Sequence, residues 1–175
     1  LQGNYSVTYV AGTLTITSKV IDKDGKNVEV NSPTDHEYDS KAHKWSPTVT
    51  DKKSKKELEA GKDYEVSYDK DDFTNVGTIT VTITGKGNYS GTITRSYKIT
   101  PKSVTVTAED KTKVFGESDP KLTATVAGTL GNDTVDYKLS RKDGEAVGKY
   151  EITVKGDKLQ GNYSVTYVAG TLTIT

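Results

Sequence analysis

The chain contains no cysteine and no methionine among its 175 residues, so it can form no disulfide framework. Its 24 basic and 24 acidic residues cancel to zero net charge, which argues against strong electrostatic attraction to nucleic acid or to an anionic membrane. Only 32% of the residues are hydrophobic, and no apolar run approaches the length needed to cross a bilayer. We therefore predict neither nucleic-acid binding nor membrane insertion for this segment.

Groups that could perform catalysis are scarce as well. Nucleophilic catalysis needs a base beside the nucleophile, and two histidines without any cysteine leave little from which to build such a pair. Glycoside hydrolysis needs two carboxylates in one cleft, and nothing in the sequence places two of them together. The sequence predicts a protein that is not an enzyme, with no catalytic residue and no cofactor.

The most informative feature that is present is a repeat. "LQGNYSVTYVAGTLTIT" occupies residues 1–17 and returns, letter for letter, at residues 159–175, a period of 158 residues. Such identity indicates recent duplication of one unit, because unrelated strands share a pattern and almost never a sequence. We expect the chain to be a slice of a tandem array. Residues 1–17 would then be the C-terminal hairpin of the preceding repeat, and that hairpin would be mobile or would pair with another molecule.

Hydrophobic and polar residues alternate along most of the chain, as they do in strands with one buried face. In "TITVTIT", for example, Ile79, Val81 and Ile83 share one face and the threonines take the other. The same alternation predicts strands at Tyr64, Val66 and Tyr68; Val104 and Val106; Leu122, Ala124 and Val126; Val135, Tyr137 and Leu139; Tyr150, Ile152 and Val154; and Tyr163, Val165 and Tyr167.

Helical periodicity is nearly absent, and "KKSKKELEAGKDY", the one stretch rich in helix formers, is too short and too polar for an independent helix. The predicted fold is therefore all-β, made of two small antiparallel β-sandwich-like modules in tandem. Modules of the β-grasp type are the alternative, because strand order cannot be read from the sequence.

A fainter internal echo divides the repeat in two. "GNYSGTITRSYKIT" at residues 87–100 aligns with "GNYSVTYVAGTLTIT" at residues 161–175, so two modules end alike. Pro101 follows the first of these segments and lacks the N–H group that a strand interior requires. We predict a module A at residues 18–100 and a module B at residues 101–175.

Module B resembles the MBG repeat domains of large bacterial surface proteins. The family pattern is an aromatic-Gly pair, an Asp-Pro pair, an Arg, a Val-Gly-x-Tyr sequence and a closing Gly-Thr-Leu-x-Ile. The matching positions are Phe115-Gly116, Asp119-Pro120, Arg141, Val147-Gly148-Lys149-Tyr150 and Gly170-Thr171-Leu172-Thr173-Ile174. The family usually carries Tyr where this chain has Phe115. Module A resembles the Gly-Asn-Tyr-rich β-repeats that lie beside such domains in cell-wall-anchored proteins of Gram-positive bacteria.

These resemblances imply a function outside catalysis. They indicate an extracellular segment of a bacterial cell-surface adhesin, with the cell-wall anchor elsewhere in the protein. The chain would act as an elongated stalk that projects a distal binding head, with neighbouring repeats as its partners. The alternative is a repeat that itself binds host glycan, mucin or an extracellular-matrix ligand. A rod of two modules predicts a radius of gyration in the low-to-mid 20s of ångströms, against about 16 Å for a globule of this length.

Two clusters invite a metal interpretation, and we predict no metal site in either. His36 and His43 lie near Asp35, Glu37 and Asp39, but their spacing matches no zinc motif and alternation sends His36 to the face opposite the acids. "IDKDGKN" at residues 21–27 resembles a calcium loop without its closing Glu, and a hairpin turn at Asp24-Gly25 is the preferred interpretation. A Lys–Asn isopeptide crosslink would require a buried Lys, Asn and acid in contact, which a sequence cannot reveal.

Overall fold

The computed structural model describes residues 3–175, and within that range no residue lies in a helix. Leu1 and Gln2, which begin the predicted hairpin 1–17, lie outside the described residues. The strands in chain order are β1 (Lys19–Val20), β2 (Val28–Val30), β3 (His36–Glu37), β4 (Val49–Asp51), β5 (Tyr64–Tyr68), β6 (Gly77–Gly85), β7 (Tyr89–Ser90), β8 (Thr92–Thr100), β9 (Lys102–Ala108), β10 (Lys111–Lys113), β11 (Ala124–Ala127), β12 (Lys138–Arg141), β13 (Gly148–Lys155), β14 (Leu159–Gln160), β15 (Tyr163–Val168) and β16 (Gly170–Ile174). The predicted all-β class is confirmed.

The chain divides into two compact units. The first comprises Leu1–Asn31, Thr48–Ser67 and Thr82–Thr94, and the second comprises Ser32–Pro47, Tyr68–Val81 and Arg95–Thr175. Strands β6 and β8 run through both. Pro101 separates β8 from β9, and the division into modules 18–100 and 101–175 stays a prediction.

The first unit contains short strand pairs around a small apolar core. Strand β1 pairs in parallel with β7, and β2 pairs antiparallel with β4. The predicted turn at Asp24-Gly25 is present, with Gly25 at φ +65°, a conformation that glycine adopts readily. It does not make a hairpin, because the strands on either side of it belong to different sheets. The buried apolar residues of this unit are Ile21, Val28, Val49, Leu58, Tyr64, Ile83 and Ile93.

The longest strands of residues 18–100 form a four-stranded sheet in the order β3-β8-β6-β5. Strand β6 shows the predicted alternation, since Ile79, Val81 and Ile83 are buried and the threonines between them are not. Strand β3 pairs in parallel with the end of β8, with His36 opposite Ile99. "KKSKKELEAGKDY" contains turns and isolated bridges and no helix, as predicted.

Residues 101–175 form two four-stranded sheets, in the orders β10-β16-β13-β12 and β11-β9-β15-β14. Strand β13 of the first sheet contacts β9 and β15 of the second, so apolar side chains from both sheets meet in one core. This is a β-sandwich-like arrangement. Its buried apolar residues are Val104, Val106, Ala108, Val135, Ile152, Val154, Tyr163, Val165, Leu172 and Ile174.

The strands of this sandwich are not all antiparallel, which differs from the prediction. Strand β15 runs parallel to β9 and β16 runs parallel to β10. Parallel neighbours need a long crossover between them, and residues 109–162 supply it for β9 and β15. Alternation in the sequence reports which face of a strand is buried, and it carries no information about strand direction.

The second copy of the repeated sequence was predicted to end in a hairpin, but its two main strands, β15 and β16, lie in different sheets. We call residues 3–17 the N-terminal copy and residues 161–175 the C-terminal copy. In the C-terminal copy, β15 pairs with β14 and β9 in one sheet, and β16 pairs with β10 and β13 in the other. The chain changes sheets at Ala169-Gly170, where a Cβ on Gly170 would lie 2.7 Å from the Ala108 carbonyl oxygen. The absence of a side chain there allows the two backbones to approach.

The N-terminal copy has the same sequence and a different environment. Residues 5–17 form no strand. Tyr5, Leu14 and Ile16 are 81%, 87% and 88% exposed, whereas their equivalents Tyr163, Leu172 and Ile174 are 5%, 0% and 1% exposed. Burial of these side chains therefore depends on the strands beside them.

Candidate functional site: a charge clasp and a module junction

Four charged residues of module B, two cations and two carboxylates, form one ionic network, and we call Lys113, Asp119, Arg141 and Glu145 the charge clasp. Lys113 ends β10, and its side chain is 4% exposed. Its ammonium group lies 2.8 Å from Asp119 Oδ1 and 2.5 Å from Glu145 Oε2, and it donates a third hydrogen bond to the Glu117 carbonyl oxygen at 3.1 Å. All three donors of the ammonium group are thus satisfied.

Arg141, at the end of β12, completes the clasp. Its Nε lies 2.6 Å from Asp119 Oδ2, and its guanidinium also pairs with Glu145. It donates further hydrogen bonds to the carbonyl oxygens of Lys142 and Gly144. Two cations and two carboxylates therefore tie the loop after β10 to the turn between β12 and β13.

The pKa values of the clasp favour its charged forms. Hydrogen bonds from Arg141, then Lys113, hold the pKa of the Asp119 carboxyl below its usual value, and bonds from Lys113, then Arg141, do the same for Glu145. Hydrogen bonds to Asp119 and Glu145 raise the pKa of Lys113. Both cations and both carboxylates of the clasp are thus held in their charged forms by their mutual hydrogen bonds.

The Val-Gly-Lys-Tyr motif packs against the clasp through Tyr150. The Tyr150 ring lies 5.8 Å from the Arg141 guanidinium carbon, and its hydroxyl donates to the Ala146 carbonyl oxygen at 2.8 Å. A Cβ on Gly144 would fall 2.1 Å from the ring, and Gly144 has φ +144°. This glycine is outside the family pattern, and its importance follows only from the contact.

The Phe115-Gly116 pair begins two residues after Lys113, in the loop that follows β10. The Phe115 side chain is exposed, so the ring at this position, whether Phe or Tyr, does not belong to the apolar core. Its backbone N–H donates to the Thr175 carbonyl oxygen at 2.8 Å, and the Thr175 N–H donates to the Lys113 carbonyl oxygen at 3.0 Å. The end of β16 is therefore held by the loop that carries this pair.

A second group of contacts joins module B to residues 32–47 and 68–81 within the second unit, and we call it the module junction. The Val76 N–H donates to Asn162 Oδ1 at 2.9 Å, and Asn162 Nδ2 donates to Asn75 Oδ1 at 2.8 Å. The Lys102 N–H donates to the Asn162 carbonyl oxygen at 2.9 Å. The Asn of this Gly-Asn-Tyr-Ser turn thus links two segments that are 86 or more residues apart in sequence.

Aromatic and ionic contacts extend the module junction. Tyr163 meets Tyr38 edge to face, with ring centroids 5.6 Å apart, and both are buried. Burial raises the pKa of Tyr163, whose hydroxyl donates to Asp133 and accepts from the Leu130 N–H at 3.1 Å. Lys102 and Glu37 form an ion pair of 3.0 Å. The junction therefore combines packing, hydrogen bonds and charge at the place where β8 leads into β9.

The residues considered for a metal site are distributed among different partners. His43 Nε2 lies 2.8 Å from Asp39 Oδ1, and its ring stacks on His36 at 4.1 Å between centroids. Asp35 accepts a hydrogen bond from the Lys98 N–H, and Glu37 pairs with Lys102. No group of three or more metal-ligating side chains occurs among residues 3–175. In the calcium-like loop, Asp22 accepts hydrogen bonds from Lys26 and Asn27.

Sequence reasoning missed a buried carboxylate in the first unit. Asp51 ends β4, and it pairs with Lys19 at 2.7 Å and accepts from the Tyr89 hydroxyl at 3.0 Å. It also accepts from the backbone N–H groups of Lys53 and Ser54. The Lys19 hydrogen bond, followed by the Ser54 one, holds the pKa of Asp51 well below its usual range. The sequence "TDKKS" indicated only a charged turn.

Module B also has a shallow surface groove between β12, β13 and β14. It is lined by Asp136, Tyr137, Lys138, Lys155, Gly156, Asp157, Leu159, Gln160 and Gly161. Much of its polar lining is used internally. The Gln160 side chain exchanges hydrogen bonds with both backbone groups of Asp136, and the Tyr167 hydroxyl donates to the Asp157 carbonyl oxygen.

Comparison with known families agrees with the motif analysis. The family model for the MBG domain (YGX type) matches residues 104–173. MBG repeat domains are structural domains of surface proteins and are not known as enzymes. A search of curated proteins found no match. Among residues 3–175, no helix has the length and hydrophobicity that a membrane span requires. The MBG-type repeat predicted from the motifs is thereby confirmed over residues 104–173.

Proposed function

We propose that this chain is a non-enzymatic repeat segment of a bacterial surface adhesin, which serves as a stalk between the cell wall and a distal binding head. The observation that carries the proposal is the module junction. A spacer must keep its length under thermal motion, so successive modules should be fastened to each other by more than a flexible linker. Asn162, Tyr163 and Lys102 each contact residues of module A. Strand β8 ends at Thr100 and β9 begins at Lys102, so Pro101 is the whole linker between them.

The attachment of β16 also suits a load-bearing segment. This last strand lies between β10 and β13, so hydrogen bonds along both of its edges must break before it can leave. The charge clasp ties together the loops at the end of β10 and the start of β13. Pulling on the C-terminal end of the module would therefore load many contacts together.

Small-angle scattering tests the stalk directly. We expect a radius of gyration in the low-to-mid 20s of ångströms, whereas a compact globule of this length has about 16 Å. The double variant Asn75→Ala, Asn162→Ala should broaden the distance distribution because it removes the side-chain hydrogen bonds of the junction. Asn4→Ala, the same change in the N-terminal copy, is the matched control and should leave the distribution unchanged. A wild-type value near 16 Å would contradict the stalk.

The alternative function is ligand binding by the repeat itself, and the groove around Tyr137 and Leu159 is where it would occur. Titration with mucin and with mucin-derived glycans separates the two functions. The stalk proposal expects no saturable binding at micromolar protein concentration. Saturable binding that is lost in Tyr137→Ala would replace it with the ligand-binding function.

A further inference from the structure

We propose that an apolar patch at one end of module B is the docking surface for the module A that follows it in the array. The patch consists of Val114, Phe115 and Val147, and its partner is the start of the next repeat, around Val20. The inference goes beyond the stalk and holds equally for an array of ligand-binding repeats. It rests on the tandem arrangement that the repeated sequence indicates.

Exposed apolar side chains are few among residues 18–175, and they are unevenly placed. The patch residues Val114, Phe115 and Val147 are 55%, 63% and 69% exposed. Phe115 and Val147 belong to the motifs that identified module B, yet neither side chain lies in its core. Exposed apolar residues that cluster mark contact surfaces, whereas single ones need no explanation. The other exposed large hydrophobic residues of this range are Val20, Leu159 and Val168.

The patch lies at one end of the sheet that contains β16. Lys113 and Gly148 are both opposite Ile174, on the two sides of β16. Each patch residue either follows Lys113 within two positions or directly precedes Gly148. The Phe115 N–H donates to the Thr175 carbonyl oxygen at 2.8 Å, which holds this end of the sheet together. The patch is therefore beside the end of β16.

The sequence itself shows how the chain passes from a module B to the next module A. Ile16 corresponds to Ile174, the last residue of β16, and β1 of module A begins at Lys19. Only Thr17 and Ser18 lie between them. Three residue steps span at most about 11 Å, so the first strand of the following module A must lie next to the patch.

Module A holds its first residues in place. The Ser18 hydroxyl donates to the Ser90 hydroxyl at 2.8 Å, and Lys19 forms an ion pair of 2.7 Å with the buried Asp51. Val20 comes next, and its side chain is 49% exposed. Two apolar surfaces, each exposed on its own module, thus come together when module A follows module B. Their contact removes apolar area from water and favours a fixed angle between repeats.

Thiol labelling tests the contact, since the chain has no native cysteine. The chain of residues 1–175 is compared with a two-repeat chain in which residues 18–175 follow Thr175 directly. Val20→Cys is placed in the single chain and, in the two-repeat chain, in the second repeat only. There the thiol has a complete module B before it, whereas in the single chain it has only residues 1–17. The rate of alkylation under native conditions measures how often the thiol is exposed.

We expect alkylation of Val20→Cys to be on the order of tenfold slower in the two-repeat chain, because a thiol covered for about nine tenths of the time reacts only in the remaining tenth. Phe115→Ser and Val147→Ser, introduced together in the first repeat, should restore the rate of the single chain. Both side chains are exposed in module B, so the module should still fold. Leu159→Ser is the matched control, because it removes an exposed apolar side chain of the same module outside the patch, and it should leave the slow rate unchanged.

A second control concerns the position of the thiol. Val168 is 40% exposed and lies outside the patch, so Val168→Cys in the second repeat should react at the same rate in both chains. Equal rates for Val20→Cys in the two chains would overturn the proposal, and so would a slow rate that the double change in the patch does not raise. The labelling rate reports only the local cover of Val20, so its result is independent of the scattering test of the stalk.

Discussion

The N-terminal and C-terminal copies are one sequence in two environments. Residues 163–174 form two strands whose inward side chains are buried, and residues 5–16 form none and expose the same side chains. Local sequence is identical, so propensity and alternation cannot account for the difference. What differs is the presence of β9, β10 and β13 beside the C-terminal copy. β-Propensity is thus a measure of fit to a sheet that already exists, which is how context-dependent strand preferences are understood.

The comparison makes each position of one copy a control for the other, and the largest expected effect is in the core. Leu172→Ala should lower the free energy of unfolding by about 2–5 kcal/mol, because it leaves a cavity at a fully buried position. Leu14→Ala removes the same atoms from an exposed side chain and should change the free energy of unfolding by less than about 0.5 kcal/mol. Urea denaturation of the two variants measures both values. Equal losses would show that the copies share one environment.

A smaller effect is expected at the change of sheet. A methyl group on Gly170 would meet the Ala108 backbone, so Gly170→Ala should cost about 1–3 kcal/mol through overpacking. Nothing lies within 4 Å of the corresponding position at Gly12, and Gly12→Ala should be close to neutral. Thermal unfolding followed by circular dichroism gives the comparison. A neutral Gly170→Ala would mean that the backbones separate without cost.

The module junction provides the next pair of matched variants, Asn162→Ala and Asn4→Ala. Asn162→Ala removes two side-chain hydrogen bonds and should lower stability by about 1–2 kcal/mol, since a typical bond contributes 0.5–1.5 kcal/mol net. Asn4→Ala should have no measurable effect, because Asn4 is exposed. The denaturant midpoints of the two variants are compared with that of the wild type. If both midpoints equal the wild-type value, the side-chain hydrogen bonds of the junction contribute nothing to stability.

A dependence on pH is expected from the first unit, outside the two copies. The folded pKa of Asp51 lies below its unfolded value of about 3.9, so its stabilisation is complete above that value and is lost as pH falls through the folded pKa. Asp51→Asn should be less stable than wild type at neutral pH and should lose less stability on acidification below about pH 4. Unfolding midpoints at several pH values between neutral and about pH 2 test this. Parallel pH profiles would contradict the assignment.

Alternation in the sequence predicted most of the strands and their buried faces. The change of sheet within the C-terminal copy was also visible in the sequence, because the buried apolar positions there are odd-numbered at Tyr163 and Val165 and even-numbered at Leu172 and Ile174. The hairpin prediction for this segment did not take into account that the alternation of buried and exposed residues shifts by one position between its two strands. Val135 and Tyr137 were predicted to lie in a strand, yet β12 begins only at Lys138. The reason is that the Gln160 side chain occupies both backbone hydrogen-bonding groups of Asp136.

The candidate sites were less accessible to sequence reasoning than the strands. Asp119, Arg141 and Tyr150 were found through the family pattern, but Lys113, Glu145 and Gly144 lie outside it and join the clasp only in space. The module junction leaves no periodic signal, because Tyr38 and Tyr163 are distant in the chain. The Gly-Asn-Tyr-Ser turns were visible as a repeat, whereas the role of Asn162 depends on where Asn75 and Val76 lie.

Amide hydrogen exchange tests most directly the claim that neighbouring strands, and not local sequence, give this segment its structure. Peptides from the two copies have the same mass, so Thr8→Ser is introduced as a mass label at a position that forms no strand. In dilute monomer, the account predicts fast exchange for residues 5–16 and strong protection for residues 163–174. Protection should be lost in the C-terminal copy only when module B unfolds. Equal protection of the two copies in a monomer would contradict the account.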